Sequence, residues 1–142
     1  MKYLGLDLGT KTLGVAISDR CGIIANIYRT ISFVQHDYDQ LLPILKDIVT
    51  NEQITKIVLG LPKNMDGSIS ERGNITISFQ KKLESYLGIE VVLEDERWTT
   101  KQANKILLEA DLSRKKRKTK IDQIAATIIL QSYLDRRRKG NK

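Results

Sequence analysis

The chain has 142 residues, which suits one domain with a sizeable core and leaves no room for two full lobes. Its 24 Lys and Arg against 17 Asp and Glu give a net charge of +7, and no apolar run is long enough for a membrane span or a signal peptide. The lone Cys21 and the lone His36 argue against a Cys/His zinc site or a Cys–His nucleophilic dyad. We therefore expect a cytoplasmic protein without a membrane partner, formed by a single domain over residues 1–138 and a basic tail over residues 139–142.

The positive charge is concentrated in the last part of the chain. Residues 112–142 carry 11 basic and 2 acidic side chains, whereas residues 1–111 carry 13 basic and 15 acidic ones. Because no strong apolar face accompanies the basic run, it predicts a nucleic-acid partner rather than a membrane surface. A merely solubilising tail is the alternative.

The N-terminal part of the chain contains three stretches typical of strands. Residues 2–8 and 13–17 are short and apolar, and Gly9-Thr10-Lys11 between them is typical of a tight turn. A third strand is expected within residues 23–33, where β-branched residues are frequent. The pattern predicts three consecutive antiparallel strands.

An amphipathic helix and a buried strand are predicted next. Apolar residues recur at helical spacing after Asp37, which forms a plausible capping pair with Gln40. Residues 56–61 are continuously apolar and too short for a typical helix, so they are expected to form a strand covered on both faces and ended by Pro62.

A second helix and a fifth strand follow. Ser68 and Glu71 have capping-box spacing, and the helix they open is expected to end at Gly88. Its predicted packing face contains Ile75, Phe79, Leu83 and Tyr86. Residues 90–93 are the next predicted strand.

The last third of the chain is predicted to be helical around a basic loop. One helix is expected to open at Thr99 and Gln102, a basic loop covers residues 113–118, and a final helix starts near Thr119. Three antiparallel strands followed by two strand and helix alternations predict an α/β fold, in which a mixed five-stranded sheet is flanked by helices.

Several carboxylates follow predicted strands. Asp7 lies at the end of the first strand, Glu94, Asp95 and Glu96 follow the fifth, and Asp122 falls in the first turn of the predicted last helix. If the first and fifth strands are parallel, their carboxyl ends share one edge of the sheet. Clustered carboxylates suit magnesium or manganese, and two such ions could activate water for phosphodiester hydrolysis.

Each acid also has a structural explanation. Asp7 could close the Gly9-Thr10 turn, Asp122 could cap its helix, and the three consecutive acids could form a solvated loop. Spacing alone does not choose which of Glu94, Asp95 and Glu96 points into a site.

Four stretches together resemble the YqgF family of the ribonuclease H-like superfamily, Holliday-junction-resolvase-like nucleases also implicated in maturing the small-subunit ribosomal RNA precursor. They are GLDLGTKTLGVAISD (5–19), IVLGLPKNMDG (57–67), EDERWTT (94–100) and SRKKRKTKIDQIAATIILQSYL (113–134). The resemblance implies a ribonuclease H-like sheet and a site in which Asp7, Glu96 and Asp122 hold Mg²⁺ or Mn²⁺. Trp98 departs from the family's usual Leu and leaves the acids intact.

The resemblance also implies a function and a substrate-binding surface. It implies a metal-dependent endonuclease that processes the 5′ end of pre-16S rRNA, resolves Holliday junctions, or does both. The expected phosphate contacts are Lys11, Lys63, Arg72, Arg97, Arg114, Lys115, Lys116 and Arg117. Junction resolution would favour a homodimer, which RNA trimming would not require.

Two other functions stay open at this point. A noncatalytic nucleic-acid-binding ribosome-assembly factor would keep the fold and the basic run without turnover. A sugar-kinase, actin or Hsp70-like ATPase shares the DLGT hairpin, but it needs a second lobe for which this chain has no residues.

Overall fold

The fold is a five-stranded sheet with helices on both faces. The computed structural model describes residues 1–97 and 114–140, with side chains over residues 1–97 and 124–138. The strands are β1 Tyr3–Leu8, β2 Thr12–Ser18, β3 Ala25–Ser32, β4 Lys56–Leu61 and β5 Glu90–Asp95. The helices are α1 Leu41–Glu52, α2 Glu71–Leu87 and α3 Arg114–Gly140.

The sheet has the mixed topology that the sequence predicts. Its strand order is β3-β2-β1-β4-β5. The pairs β1–β2 and β2–β3 are antiparallel, whereas β1–β4 and β4–β5 are parallel. The carboxyl ends of β1, β4 and β5 therefore lie at one edge of the sheet, with β4 in the middle.

Each face of the sheet has its own apolar core. On one face, Leu6 and Leu59 belong to the same buried cluster as Leu45 of α1 and Phe79 of α2. On the other, Tyr3 and Val58 cluster with Ala126, Ile129, Leu130 and Leu134 of α3. Because successive strand residues point to opposite faces, Gly5 and Asp7 of β1 face α3.

Helix α3 lies close against β1 and runs antiparallel to it. A Cβ atom on Gly5 would lie 2.6 Å from Leu130 Cβ and 3.0 Å from the Ala126 carbonyl oxygen, so glycine permits this approach. Further along the helix, the rings of Tyr133 and Tyr3 pack edge to face at 6.1 Å. The residues that precede Ala126 therefore lead toward the carboxyl end of β1.

The prediction of a basic loop over residues 113–118 is wrong for residues 114–118; Ser113 lies outside the described residues. Helix α3 begins at Arg114 and includes the whole basic run up to Lys120. Arg and Lys are good helix formers, and no Gly or Pro interrupts the segment. Asp122 consequently lies in the third turn of the helix, so its predicted place in the first turn is wrong, and so is the alternative that it caps the helix.

Both predicted capping pairs are wrong as well. Gln40 Oε1 accepts a hydrogen bond from the Val34 amide at 2.8 Å, and Asp37 makes no side-chain cap. Helix α2 is capped by Ser70, whose hydroxyl accepts from the Gly73 amide at 3.0 Å, rather than by Ser68. Helix α2 ends before Gly88, as predicted.

Three further differences from the prediction concern α2, β5 and the segment after β5. Thr76 is buried on α2, whereas Tyr86 is 43% exposed. Strand β5 includes Glu94 and Asp95, two residues beyond its predicted end. The helix expected at Thr99 and Gln102 lies outside the described residues.

Among the residues that the structure describes, no helix combines the length and the apolar character that crossing a bilayer requires.

Candidate active site

Two acids from distant parts of the chain meet at the carboxyl edge of the sheet. Asp7 belongs to β1, and Glu96 directly follows β5. Strand β4 separates β1 from β5, so the Glu96 side chain must reach across β4 to approach Asp7. It does so over Gly60, where an added Cβ would overlap the Glu96 carboxylate and lie 2.5 Å from Ile129 Cδ1.

Asp7 and Glu96 are joined by a side-chain hydrogen bond, which requires a proton between the two carboxyl groups. Burial, followed by the negative charge of Asp7 and this hydrogen bond, raises the pKa of Glu96 to about 9; the charge of Arg72 opposes the shift. Glu96 Oε2 is buried and has no hydrogen-bond partner among the described residues. The two carboxyl groups therefore need a proton or a cation between them.

The donor chemistry at this position fits a hard divalent cation. Carboxylate oxygens are the ligands that Mg²⁺ and Mn²⁺ prefer, and a cation between Asp7 and Glu96 would replace their shared proton. Within the described side chains, no group of three metal-binding residues is present. The side chain of Asp122, the third expected ligand, lies outside them.

The backbone of α3 bears on the location of Asp122. Asp122 precedes Ala126 by four residues, about one helical turn, and Ala126 lies against Gly5 of β1. Because α3 is antiparallel to β1, the step back along the helix from Ala126 to Asp122 has the same direction as the step along β1 from Gly5 to Asp7.

The three consecutive acids have three different partners. Glu94 is only 3% exposed and faces α3, where it accepts hydrogen bonds from Arg136 Nη1 at 2.9 Å and Ser132 Oγ at 3.1 Å. A second contact, between Arg136 Nη2 and Glu94 Oε1 at 2.6 Å, makes the ion pair two-pronged. The carboxylate of Glu94 is therefore occupied within the core, and Glu96 is the member of the run that is hydrogen-bonded to Asp7.

Asp95 is paired with Arg97. The Arg97 guanidinium contacts Asp95 Oδ2 through Nε and through Nη2, both at 3.0 Å. Burial alone would raise the pKa of Asp95, but the Arg97 amide and guanidinium hold it below its ordinary value. Arg97 Nη1 also donates to the Met65 carbonyl at 3.1 Å, so this expected phosphate contact is engaged within the protein.

Arg72 places a fixed positive charge beside the acid pair. It donates to the Leu8 carbonyl at 2.9 Å and to the Tyr38 hydroxyl at 3.1 Å, which holds the guanidinium at the end of β1. Its charge lowers the pKa of Glu96, against the dominant effect of burial. Arg72 is thus anchored near the candidate site.

Two of the remaining expected phosphate contacts, Lys11 and Lys63, have described side chains. Lys63 pairs with Ile69 in an isolated antiparallel bridge, and its charge reaches Asp95. Lys11 is exposed, with its carbonyl accepting from the Phe33 amide at 2.9 Å. Arg114, Lys115, Lys116 and Arg117 lie in the first turns of α3, and their side chains are outside the described set.

Sequence reasoning missed Gly60 and the partners of Glu94. Gly60 interrupts an otherwise apolar strand, and a glycine inside a strand often marks a close approach, so this signal was available. Ser132 and Arg136 are four residues apart and therefore share one face of α3. Nothing in their spacing indicates that β5 would supply the carboxylate between them.

Comparison with solved structures defines the class of fold. Thermus thermophilus RuvC in complex with a Holliday junction substrate superposes with a TM-score of 0.63 and 11% identity, covering 99% of this chain and 96% of that one. The fowlpox virus resolvase in complex with Holliday junction DNA gives a TM-score of 0.56 and 17% identity, covering 95% and 97%. The fold is that of the ribonuclease H-like resolvases.

Sequence comparison then identifies the family. The family described as "RuvX: Holliday junction resolvase" matches residues 1–136, and the chain belongs to it. A relative from Bacillus subtilis, named "Putative pre-16S rRNA nuclease", is 50% identical, covering 95% of this chain and 98% of the relative. A relative of the same name from Bacillus pumilus is 52% identical over the same shares.

Family membership decides between some of the earlier expectations. It confirms the resemblance drawn from the four sequence stretches, and it favours a nuclease over a sugar-kinase or actin-like ATPase.

Proposed function

We propose that the protein is a metal-dependent endonuclease that hydrolyses phosphodiester bonds in structured nucleic acid. The observation that supports it most directly is the half-buried, proton-sharing pair of Asp7 and Glu96 at the carboxyl edge of the sheet, in which the Glu96 Oε2 atom is fully buried. Two carboxylates are costly to bury side by side unless a proton or a cation lies between them. A phosphodiester hydrolase of the metal-dependent kind uses a cation held by such carboxylates, which would account for the arrangement.

Asp7, Glu96 and Asp122 are the proposed ligands of Mg²⁺ or Mn²⁺. Such ions supply activation of water and stabilisation of the leaving oxygen. The direction of α3 along β1 supports Asp122 as the third ligand, because the helical turn before Ala126 leads toward the end of β1 that carries Asp7. Arg72, anchored by Leu8 and Tyr38, would hold positive charge beside the reacting phosphate.

The proposed substrate is a precursor of small-subunit ribosomal RNA, branched DNA, or both. The names of the Bacillus relatives favour the RNA, and the resolvase description of the family favours the junction. The basic run from Arg114 to Lys118 would attract either backbone, together with Lys11 and Lys63. Processing of ribosomal RNA would place the protein in the cytoplasm, and resolution of a two-fold symmetric junction would use a homodimer.

Cleavage assays with matched variants test this function. Wild type, Asp7→Asn and Asp47→Asn are each given a four-way DNA junction and a precursor rRNA fragment, with magnesium, with manganese, or with EDTA. Asp47 is exposed on α1 and controls for the loss of one carboxylate. We expect metal-dependent cleavage by wild type and Asp47→Asn. Asp7→Asn should lose about a hundredfold or more, because removing a direct ligand costs at least as much as the roughly 10–100-fold typical of a residue that only supports a ligand.

Two results would contradict the proposal. Equal cleavage by wild type and Asp7→Asn would indicate a contaminating nuclease. Tight binding of both substrates with no cleavage under any condition would favour the noncatalytic ribosome-assembly factor.

A further inference from the structure

A compact turn follows β4 and projects beside the candidate site. Lys63 and Ile69 pair as an antiparallel bridge at its base. Within it, the Gly67 amide donates to the Asn64 carbonyl at 2.8 Å, and the Asn64 amide donates to the Ser68 carbonyl at 3.0 Å. Gly67 has a φ of +90°, a conformation that side chains other than glycine's disfavour. We call residues 63–69 the tethered turn.

Side chains reinforce the tethered turn from within. Asp66 Oδ1 accepts from the Ser68 amide at 2.9 Å and from the Ser68 hydroxyl at 2.6 Å. Asn64 Nδ2 donates to the same hydroxyl oxygen at 2.9 Å. The turn is therefore shaped by its own hydrogen bonds before any ligand arrives, which lowers the entropy cost of binding.

Arg97 connects the tethered turn to the acid pair. Its guanidinium lies between Asp95 and the Met65 carbonyl, with contacts of 3.0 and 3.1 Å. Arg97 is also the residue directly after Glu96. The tip of the turn is thus held at the end of β5, next to the carboxylate that reaches Asp7.

Met65 is the exposed apolar residue at that tip. Its carbonyl and its neighbours are engaged in hydrogen bonds, yet the residue is 60% exposed. A single exposed apolar side chain is common on protein surfaces, so exposure alone explains nothing. What distinguishes Met65 is its place on a preorganised turn: its carbonyl is held by Arg97, the residue directly after Glu96, and Lys63 lies at the base of the same turn.

We propose that Met65 contacts an unstacked nucleobase adjacent to the phosphate at the acid pair. The inference rests on the proposed nuclease function and assigns part of its specificity. A thioether packs well against an aromatic ring, and apolar side chains including Met insert at disrupted base steps. Because every base offers a π face, the contact selects branched or single-stranded sites over continuous duplex without reading sequence.

Binding without cleavage tests this contact. A four-way DNA junction and an RNA hairpin with a single-stranded 5′ extension each carry 2-aminopurine at the branch point or in the extension, and a distant dye reports anisotropy. Both are titrated in EDTA with wild type, Met65→Ala, Met65→Leu and Ile24→Ala. Ile24 is a matched control because it is 56% exposed and precedes β3, at the opposite edge of the sheet.

We expect wild type, Met65→Leu and Ile24→Ala to change the 2-aminopurine emission. Met65→Ala should lose that change and bind both probes about two- to tenfold more weakly, with an unaltered salt dependence and unaltered affinity for plain duplex. Wild-type behaviour of Met65→Ala in both emission and affinity would overturn the inference and leave the nuclease proposal standing. Failure of wild type to bind any probe by anisotropy would also overturn the inference, whereas the nuclease proposal is decided by the cleavage assays with magnesium and manganese.

Discussion

At the scale of single residues, the central feature is the protonation state of Glu96. Its carboxyl group is buried against Asp7, so the metal-free protein keeps a proton there that an exposed glutamate would release. Residue spacing identifies Asp7 and a run of three acids without choosing among the three, and it is the family resemblance that selects Glu96. That choice depends on the alternation of side chains along β5 and on the room above Gly60, which belongs to a different strand.

This proton gives the metal-free protein a pH-dependent stability. The pKa of Glu96 is about 9 in the folded protein against an ordinary 4.5, so between these values the folded state holds a proton that the unfolded chain has lost. The free energy of unfolding should therefore fall as pH rises through this window, by up to about 1.4 kcal/mol per pH unit. Urea unfolding in EDTA at pH 5 to 9 measures it. Glu96→Gln should flatten the dependence and Asp47→Asn should preserve it; an unchanged slope in Glu96→Gln would contradict the assignment.

At the scale of elements, the last two acids of β5 connect the strand to two different neighbours, α3 and the tethered turn. Glu94 joins the strand to α3 through Arg136 and Ser132, and Asp95 joins it through Arg97 to the tethered turn. Glu96 is therefore carried on a strand end that is fixed from two sides.

The same elements show how far sequence reasoning extends. Four of the strands were predictable because they are short apolar stretches bounded by turn residues, as with residues 56–61 before Pro62, whereas β3 was predictable from its β-branched residues. The basic run was not recognised as helix, because its charge resembled that of a solvated loop although Arg and Lys favour helix. The capping oxygens were misassigned because Ser68 and Ser70 have equivalent chemistry, and only the path of the chain decides that Ser70 receives the Gly73 amide.

The ion pair between Glu94 of β5 and Arg136 of α3 predicts that two nearby arginines contribute unequally to the free energy of unfolding. Arg136→Ala would leave the buried Glu94 carboxylate with Ser132 as its remaining partner, and we expect a loss of about 1–3 kcal/mol in the free energy of unfolding. Arg138→Ala, an exposed arginine two residues further on, should cost less than about 0.5 kcal/mol. The double variant Glu94→Gln/Arg136→Ala should recover part of the loss, because the uncompensated charge is gone. Urea denaturation checks the series, and equal effects of the two single arginine variants would show that the ion pair contributes nothing.

At the scale of the whole molecule, charge and chemistry are divided between segments. The described acids Asp7 and Glu96 lie at the carboxyl edge of a sheet built from residues 3–95, whereas all of the excess positive charge lies in residues 112–142. Helix α3 unites the two, since its apolar part from Ala125 to Leu134 packs on the sheet and its basic run precedes that part. A nucleic-acid backbone attracted by the basic run would therefore approach the sheet near the part of α3 that contains Asp122.

This uneven distribution of charge predicts which lysines determine the salt dependence of nucleic-acid binding. The double variant Lys115→Gln/Lys116→Gln removes two charges from the basic run, and Lys81→Gln/Lys82→Gln removes two exposed charges from α2 as a matched control. If both lysines of the run neutralise phosphates, the slope of log Kobs against log salt concentration becomes shallower by about 1.4 for single-stranded RNA and about 1.8 for duplex DNA. The α2 variant should keep the wild-type slope, because α2 packs on the face of the sheet opposite α3. Anisotropy titrations between about 50 and 200 mM salt measure the slopes. Equal slopes for the two double variants would mean that the basic run of α3 acts only through net charge and does not bind the backbone.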